Sequence, residues 1–287
     1  MERDILKEII AHKREEVEAQ KRHLTADQLA AVAEEREQRT AHSLKQALAA
    51  SPTGIIAEFK RRSPSKGWIN REARPDEVIP QYEAAGAAAL SILTDEAFFA
   101  GRLGDLTTAR PLATLPILRK DFVIAPYQLL QARAAGADAV LLIAACLDRS
   151  QCSEMVQQAH ELGLEVLLEL HSPDELNYLD CRPDLVGVNN RSLGTFHTDA
   201  SHAVDLAEAL AQATASTDPH PLMVAESGIH DAETACLLRR HGYRGLLIGE
   251  RFMRSERPGD ELHAFIQQMS HLQNPTVLST CLSKYAA

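Results

Sequence analysis

The sequence predicts an α/β fold, a (β/α)8 TIM barrel with an N-terminal helical extension, and three observations carry that expectation. Eight short apolar runs recur along the 287 residues, each run is continuous rather than alternating, and helical patterns lie between them. Continuous runs mark parallel strands buried on both faces. Eight strand–helix alternations in a chain of this length fit one closed barrel. A doubly wound open sheet is the runner-up, because periodicity alone does not establish closure.

The elements follow in order. Residues 2–22 put Ile5, Leu6, Ile9 and Ile10 on one helical stripe among charges. A second helix is predicted to begin at Thr25, where Thr25-Ala-Asp-Gln28 fits a capping box. Nothing strand-like precedes residue 54. The eight runs are Gly54–Phe59, Ala88–Leu93, Pro116–Arg119, Ala137–Ile143, Glu165–Leu170, Leu185–Val188, Leu222–Ala225 and Gly245–Ile248. Ser172-Pro-Asp-Glu175 reads as a helix start, with an N-cap, Pro at the first helical position and an acid behind it. Gly86, Gly136 and Gly242 each stand just before a run, where glycine suits a helix C-terminus turning back into a strand. The expected organisation is one domain over 1–270, made of a helical extension (1–50) and a barrel from about 54, followed by a tail over 271–287.

Composition narrows the function. A formal net charge of -10 argues against nucleic acid as partner, since contacts to phosphate backbones rest on Lys and Arg. A local basic cluster could still attract a small anion. Five scattered cysteines without a C-x-x-C pair suggest reduced thiols. The first residues are dense in charge and no long apolar run appears, so neither a signal peptide nor a membrane span is expected; the reading is cytoplasmic.

In this architecture the site forms where strands end and the following loops begin. Polar residues gather there: Glu58 and Lys60 at the end of the first run, Lys120 after the third, Glu169 at the end of the fifth, Asn189 and Arg191 after the sixth, Glu226, Ser227 and Gly228 after the seventh, and Gly249 after the eighth. Each has a plainer reading. Glu58 and Lys60 could be a structural ion pair, Asn189 a turn residue, and Gly228 and Gly249 tight-turn glycines. Their common direction favours a shared opening. Glycines after the last two strands, with Arg191 nearby, suggest a phosphate site, and the basic loop Lys60–Lys66 would draw an anion towards it. Lysines beside glutamates suggest metal-free proton transfer, with Lys120 as a charged acid and Glu169 as a base. No cluster has convincing metal-ligand spacing; His197 and His202 stand five apart. No nucleotide-binding glycine motif is present.

The segment Ile56-Ala57-Glu58-Phe59-Lys60-Arg61-Arg62-Ser63-Pro64-Ser65-Lys66-Gly67 resembles the hallmark segment of the indole-3-glycerol phosphate synthase family. Further matches follow in the same order. They are Ser91 through Asp95 with Phe99 and Gly101, Leu118 through Phe122, Leu168-Glu169, Gly187 through Arg191, Ala225 through Ile229, and Leu247 through Glu250. The resemblance covers roughly residues 1–270 and implies a cofactor-independent enzyme of tryptophan biosynthesis. Its sugar-phosphate substrate would be 1-(2-carboxyphenylamino)-1-deoxyribulose 5-phosphate, closed to an indole ring with loss of carbon dioxide and water.

By the same resemblance, Lys120 is the general acid, Glu169 the base of dehydration, and Lys60 either a carboxylate partner or a second proton donor. Glu58 and Asn189 orient these groups, with Glu226 and Ser227 near the sugar. Ser63 is a substrate-binding position, Phe99 and Phe122 flank the anthranilate ring, and Arg191, Gly228 and Gly249 hold phosphate. The chain departs from the family at Ser192, where Asp is usual, and at Arg251, where Ser is common; both bear on phosphate affinity. Other tryptophan-pathway enzymes are candidate partners. Phosphoribosylanthranilate isomerase, a related barrel, would require a shorter chain and a catalytic Cys/Asp pair. A barrel that has lost catalysis and serves as a scaffold would be expected to lose Lys60, Lys120 or Glu169 first.

Overall fold

Strands buried on both faces need helices outside and side chains inside, and a closed ring of strands supplies both. The computed structural model describes residues 5–37, 42–191, 201–215 and 220–273. Eight parallel strands form the ring: β1 (Ile55–Phe59), β2 (Ala89–Leu93), β3 (Ile117–Lys120), β4 (Ala139–Ile143), β5 (Glu165–Leu170), β6 (Leu185–Asn189), β7 (Leu222–Glu226) and β8 (Gly245–Ile248). Ile56 pairs with Ala89 on one side and Leu247 on the other, so β1 joins both β2 and β8. That closure removes the open-sheet alternative.

Four of the runs read from hydropathy start one or two residues early and three stop one residue early, while Glu165–Leu170 and Gly245–Ile248 match their strands. Gly54 stands just before β1, with φ +69, and a Cβ there would come 2.0 Å from the Arg244 carbonyl oxygen. At the other ends, backbone pairing continues past the last apolar residue, with Leu93 opposite Lys120 and Asn189 opposite Glu226. Lys120, Asn189 and Glu226 are therefore strand residues, held more rigidly than loop residues would be.

Alternation is present inside the continuous runs. Ile56, Leu118, Leu141, Leu167, Val224 and Leu247 belong to one buried cluster that fills the ring, while Ala57, Phe59, Leu168 and Val188 pack outwards under the helices. Two positions beyond four of the inner residues come Glu58, Lys120, Glu169 and Glu226, on the same face of each strand. An apolar floor thus carries a charged layer.

The local signals mostly hold. Thr25 N–H donates to Gln28 Oε1 at 2.8 Å and Gln28 N–H donates to Thr25 Oγ1 at 3.3 Å, closing the capping box. Gly86, Gly136 and Gly242 have φ of 97, 96 and 94, the left-handed conformation that ends a helix. Ser172 is different: a 3-10 helix, Pro173–Cys181, starts there and the Ser172 side chain makes no cap bond. Glu175 takes that role, accepting the His171 N–H at 2.6 Å.

The extension spans the barrel from end to end. It comprises α1 (Ile5–His23), α2 (Ala26–Glu37) and α3 (Leu44–Ala50). α3 plugs the N-terminal mouth: Ser43 Oγ donates to Glu165 Oε1 at 2.5 Å, Lys45 N–H donates to Glu165 Oε2 at 2.9 Å, and Leu48 lies against Gly245. α1 reaches the opposite mouth with Leu6 and Ile9. Among the described residues no helix is long and apolar enough to cross a membrane, and Cys146, Cys152, Cys181 and Cys236 are free thiols. Ser192, His197, Cys281 and the tail from 274 lie outside the described residues.

Candidate active site

The charged layer opens into a cavity at the C-terminal mouth. Glu58, Lys60, Lys120, Glu169, Asn189 and Glu226 line it, drawn from five strands or their immediate ends. Lys120 Nζ stands 3.1 Å from Glu169 Oε2 and 3.4 Å from Glu226 Oε2. Asn189 Nδ2 donates to Glu169 Oε1 at 3.1 Å, and Lys60 pairs with Glu58. Two glycines make room. A Cβ on Gly187 would come 2.2 Å from Glu226 Oε1, and one on Gly249 would come 2.4 Å from Glu58 Oε1. Gly249 has φ -128, so space rather than backbone conformation requires it.

Burial and neighbouring charge separate the two carboxylates that share Lys120. Burial disfavours the Lys120 ammonium, but Glu169, Glu226 and Glu58 outweigh it and raise its pKa, so the amine stays protonated. Burial also opposes the charge of Glu169, yet Lys120, His171 and Asn189 hold its carboxyl below the usual range. Glu226 gains less. Burial, with repulsion from Glu169, pushes it up to about 8 despite Lys120. The site therefore holds an ionised carboxylate, an ammonium and a carboxyl that keeps its proton to near-neutral pH.

The cavity has two further regions. Phe99 and Phe122, with ring centroids 6.1 Å apart, face Leu6, Ile9, Leu141 and Ile143 as an apolar wall. Opposite lie Arg191, Ser227, Gly228, Gly249, Glu250 and Arg251. Ser227 and Gly228 have successive positive φ values of 65 and 73. Asn190 braces this turn, donating to Ser227 O at 3.0 Å and accepting the Ala203 N–H at 2.9 Å. Arg191 Nη2 is 3.5 Å from Glu250 Oε2, while Arg251 pairs with Glu261 at 3.1 Å.

A family model described as "Indole-3-glycerol phosphate synthase" matches residues 6–268. The chain belongs to the indole-3-glycerol phosphate synthase family. It is similar to proteins of that name from Bacteroides thetaiotaomicron (55% identical over 265 residues, 92% of this chain and 98% of that one), Azoarcus sp. strain BH72 (44%, covering 91% and 98%) and Burkholderia ambifaria strain MC40-6 (42%, covering 90% and 97%). A solved thiamine phosphate pyrophosphorylase from Pyrococcus furiosus superposes with a TM-score of 0.56 at 16% identity, covering 81% of this chain and all of that one. That likeness is one of fold.

Of the positions that resemble the synthase site, only Ser63 stands outside the cavity wall. It is buried, its Oγ accepts the Lys66 N–H at 3.3 Å, and it lies in a small hairpin pairing Arg62–Ser63 with Gly67–Trp68. Two cations of the basic loop have structural partners. Arg61 forms a bidentate pair with Asp105 at 2.6 and 2.9 Å, and Arg62 donates to the carbonyls of Ala97 and Phe98. These arginines fasten the loop to the segment after β2. His202 Nε2–H donates to the His171 carbonyl oxygen at 2.9 Å, and among the described residues no three His, Cys, Asp or Glu side chains are grouped to hold a metal.

Sequence reasoning missed three residues around this cavity. His171 Nε2 lies 3.2 Å from Glu169 Oε1. Asp121, next to Lys120, lines the cavity and is held ionised: burial opposes its charge, but Arg119 and Lys13 outweigh it. Lys13 is wholly buried on α1. Its one sequence signal is position, since Ile9, Lys13 and Val17 share the buried stripe at four-residue spacing.

Proposed function

We propose that residues 1–270 act as one catalytic domain that carries out the family's reaction at this cavity. The substrate 1-(2-carboxyphenylamino)-1-deoxyribulose 5-phosphate is closed to indole-3-glycerol phosphate, releasing carbon dioxide and water. The observation that carries this reading is Lys120 held 3.1 Å from Glu169 and 3.4 Å from Glu226, between an apolar wall and a glycine-rich, arginine-bearing turn.

The aryl ring lies against Phe99 and Phe122, and the phosphate against Arg191, Gly228 and Gly249. Fixing both ends brings the ring carbon onto the sugar carbonyl, which removes several kcal/mol from the barrier. As that bond forms, Lys120 donates its proton to the carbonyl oxygen, which is far more basic as an alkoxide than the amine. Carbon dioxide then leaves and restores aromaticity. Glu169, ionised and 3.1 Å from Lys120, takes the carbon-bound proton as the hydroxyl departs as water. Lys60 either pairs with the substrate carboxylate or protonates the departing hydroxyl, and Glu58, Asn189, Glu226 and Ser227 orient the sugar and the two lysines. Two protons enter the substrate and one leaves, so each turnover takes up one proton from solvent, matching loss of the carboxylate as neutral carbon dioxide. Ser63 serves by holding the loop that carries Lys60. In this reading the enzyme works in the cytoplasm, and association with other tryptophan-pathway enzymes is part of it.

The test is to mix protein and substrate and follow indole fluorescence. Wild type should turn over, and Lys120→Ala should lower kcat by orders of magnitude with the fold intact. A wild type that binds substrate without producing indole overturns the reading.

A further inference from the structure

Burying an ammonium costs several kcal/mol unless close partners compensate, and exchanging a buried ion cluster for apolar residues is often neutral or stabilising. A lysine at the centre of such a cluster therefore calls for a reason beyond stability. Lys13 is 0% exposed, with Nζ 2.9 Å from Glu16 Oε2, 2.9 Å from Asp95 Oδ2 and 3.0 Å from Asp121 Oδ1. Asp121 directly follows Lys120 and precedes Phe122; Thr94 Oγ1 donates to its Oδ2 at 2.6 Å and Arg119 at 2.9 Å. Asp95 caps the turn that carries Phe99, accepting the Phe98 N–H at 2.8 Å. One ammonium thus joins the segments after β2 and β3. On its own helix, Ile9 lies one turn earlier and Leu6 two turns earlier, both in the cavity wall.

We propose that Lys13 is a positioning residue: it latches α1 across Asp95 and Asp121, and so sets the apolar wall formed by Leu6, Ile9, Phe99 and Phe122 against the strand end bearing Lys120. The proposal rests on the synthase reading and names the residue that holds its aryl-binding wall in register. The ion cluster gives direction where apolar packing would not. Leu6 and Ile9 could slide along the mouth, whereas an ammonium held 2.9 Å from Asp95 and 3.0 Å from Asp121, with Glu16 of its own helix completing the shell, ties the helix to two fixed points on the barrel.

The test compares Lys13→Met with Arg110→Met. Arg110 forms a buried pair with Asp138, 2.6 Å apart, at the opposite mouth of the barrel. Both variants are assayed by indole fluorescence well below their melting temperatures. Lys13→Met should raise KM at least tenfold and lower kcat, while Arg110→Met should melt earlier yet keep kcat/KM within twofold of wild type. Combining Lys13→Met with Leu6→Ala should raise KM by less than the product of the single effects, because both act through α1. If Lys13→Met does not fold, Asp95→Asn keeps the cap and removes one carboxylate charge; it should raise KM at least threefold. Wild-type kinetics in a folded Lys13→Met, or an unchanged KM in Asp95→Asn when that variant stands in, would overturn the latch while leaving the synthase reading in place. A wild type without turnover would instead bring down the reading on which the latch rests.

Discussion

Glu226 and Glu169 have the same side chain two strands apart and opposite tendencies, because one lysine cannot fully compensate two buried carboxylates. Glu226 is raised from 4.5 to about 8, so the folded protein holds a proton there that the unfolded chain releases. Its contribution to stability is therefore fully present below about pH 4.5 and is lost as pH rises towards 8. Glutamine removes that titration. The melting midpoint of Glu226→Gln should fall less than that of wild type between pH 5 and 8, in scans at matched ionic strength; parallel curves would show that Glu226 titrates normally. Gly187 exerts a second constraint at this scale. In Gly187→Ala the added methyl meets Glu226 Oε1 at 2.2 Å, so the carboxyl must shift, and its Oε2 approach to Lys120 is expected to change with it. A loss of at least tenfold in kcat with a native circular dichroism spectrum is the expected result.

Among the elements, the strands do two jobs that their sequences show unequally. Leu167 fills the floor and Glu169, two residues on, faces the cavity. Leu167→Ala should therefore cost about 2–5 kcal/mol of stability, measured by urea unfolding, through the cavity it leaves. The α2 capping box is exposed and distant from the chemistry. Thr25→Ala should cost about 1 kcal/mol and leave kcat/KM unchanged. Such caps, and the left-handed glycines at 86, 136 and 242, were legible because their partners lie within four residues. The helix expected after Ser172 became a 3-10 turn. Its start signal was real, but Glu175 accepts the free N–H of His171, and a short acid-capped turn suffices to reach β6.

For the whole molecule, the extension ties the two mouths together. α3 is fastened to Glu165 at one end, and α1 covers the cavity at the other. Hydropathy identified the apolar stripe of α1 without indicating which surface it would cover, and α3 was legible only as part of a helical extension. The eight strands, their order and the candidate acid and base were readable from the chain alone, since continuous burial and strand-end polarity are written residue by residue. Ring closure, the separation of Glu169 from Glu226, the structural use of Arg61 and Arg62, and the partners of Lys13 were not. Each arises when side chains tens to more than a hundred positions apart are brought within about 3 Å and out of water, where charge and space are set jointly by neighbours that no local pattern records.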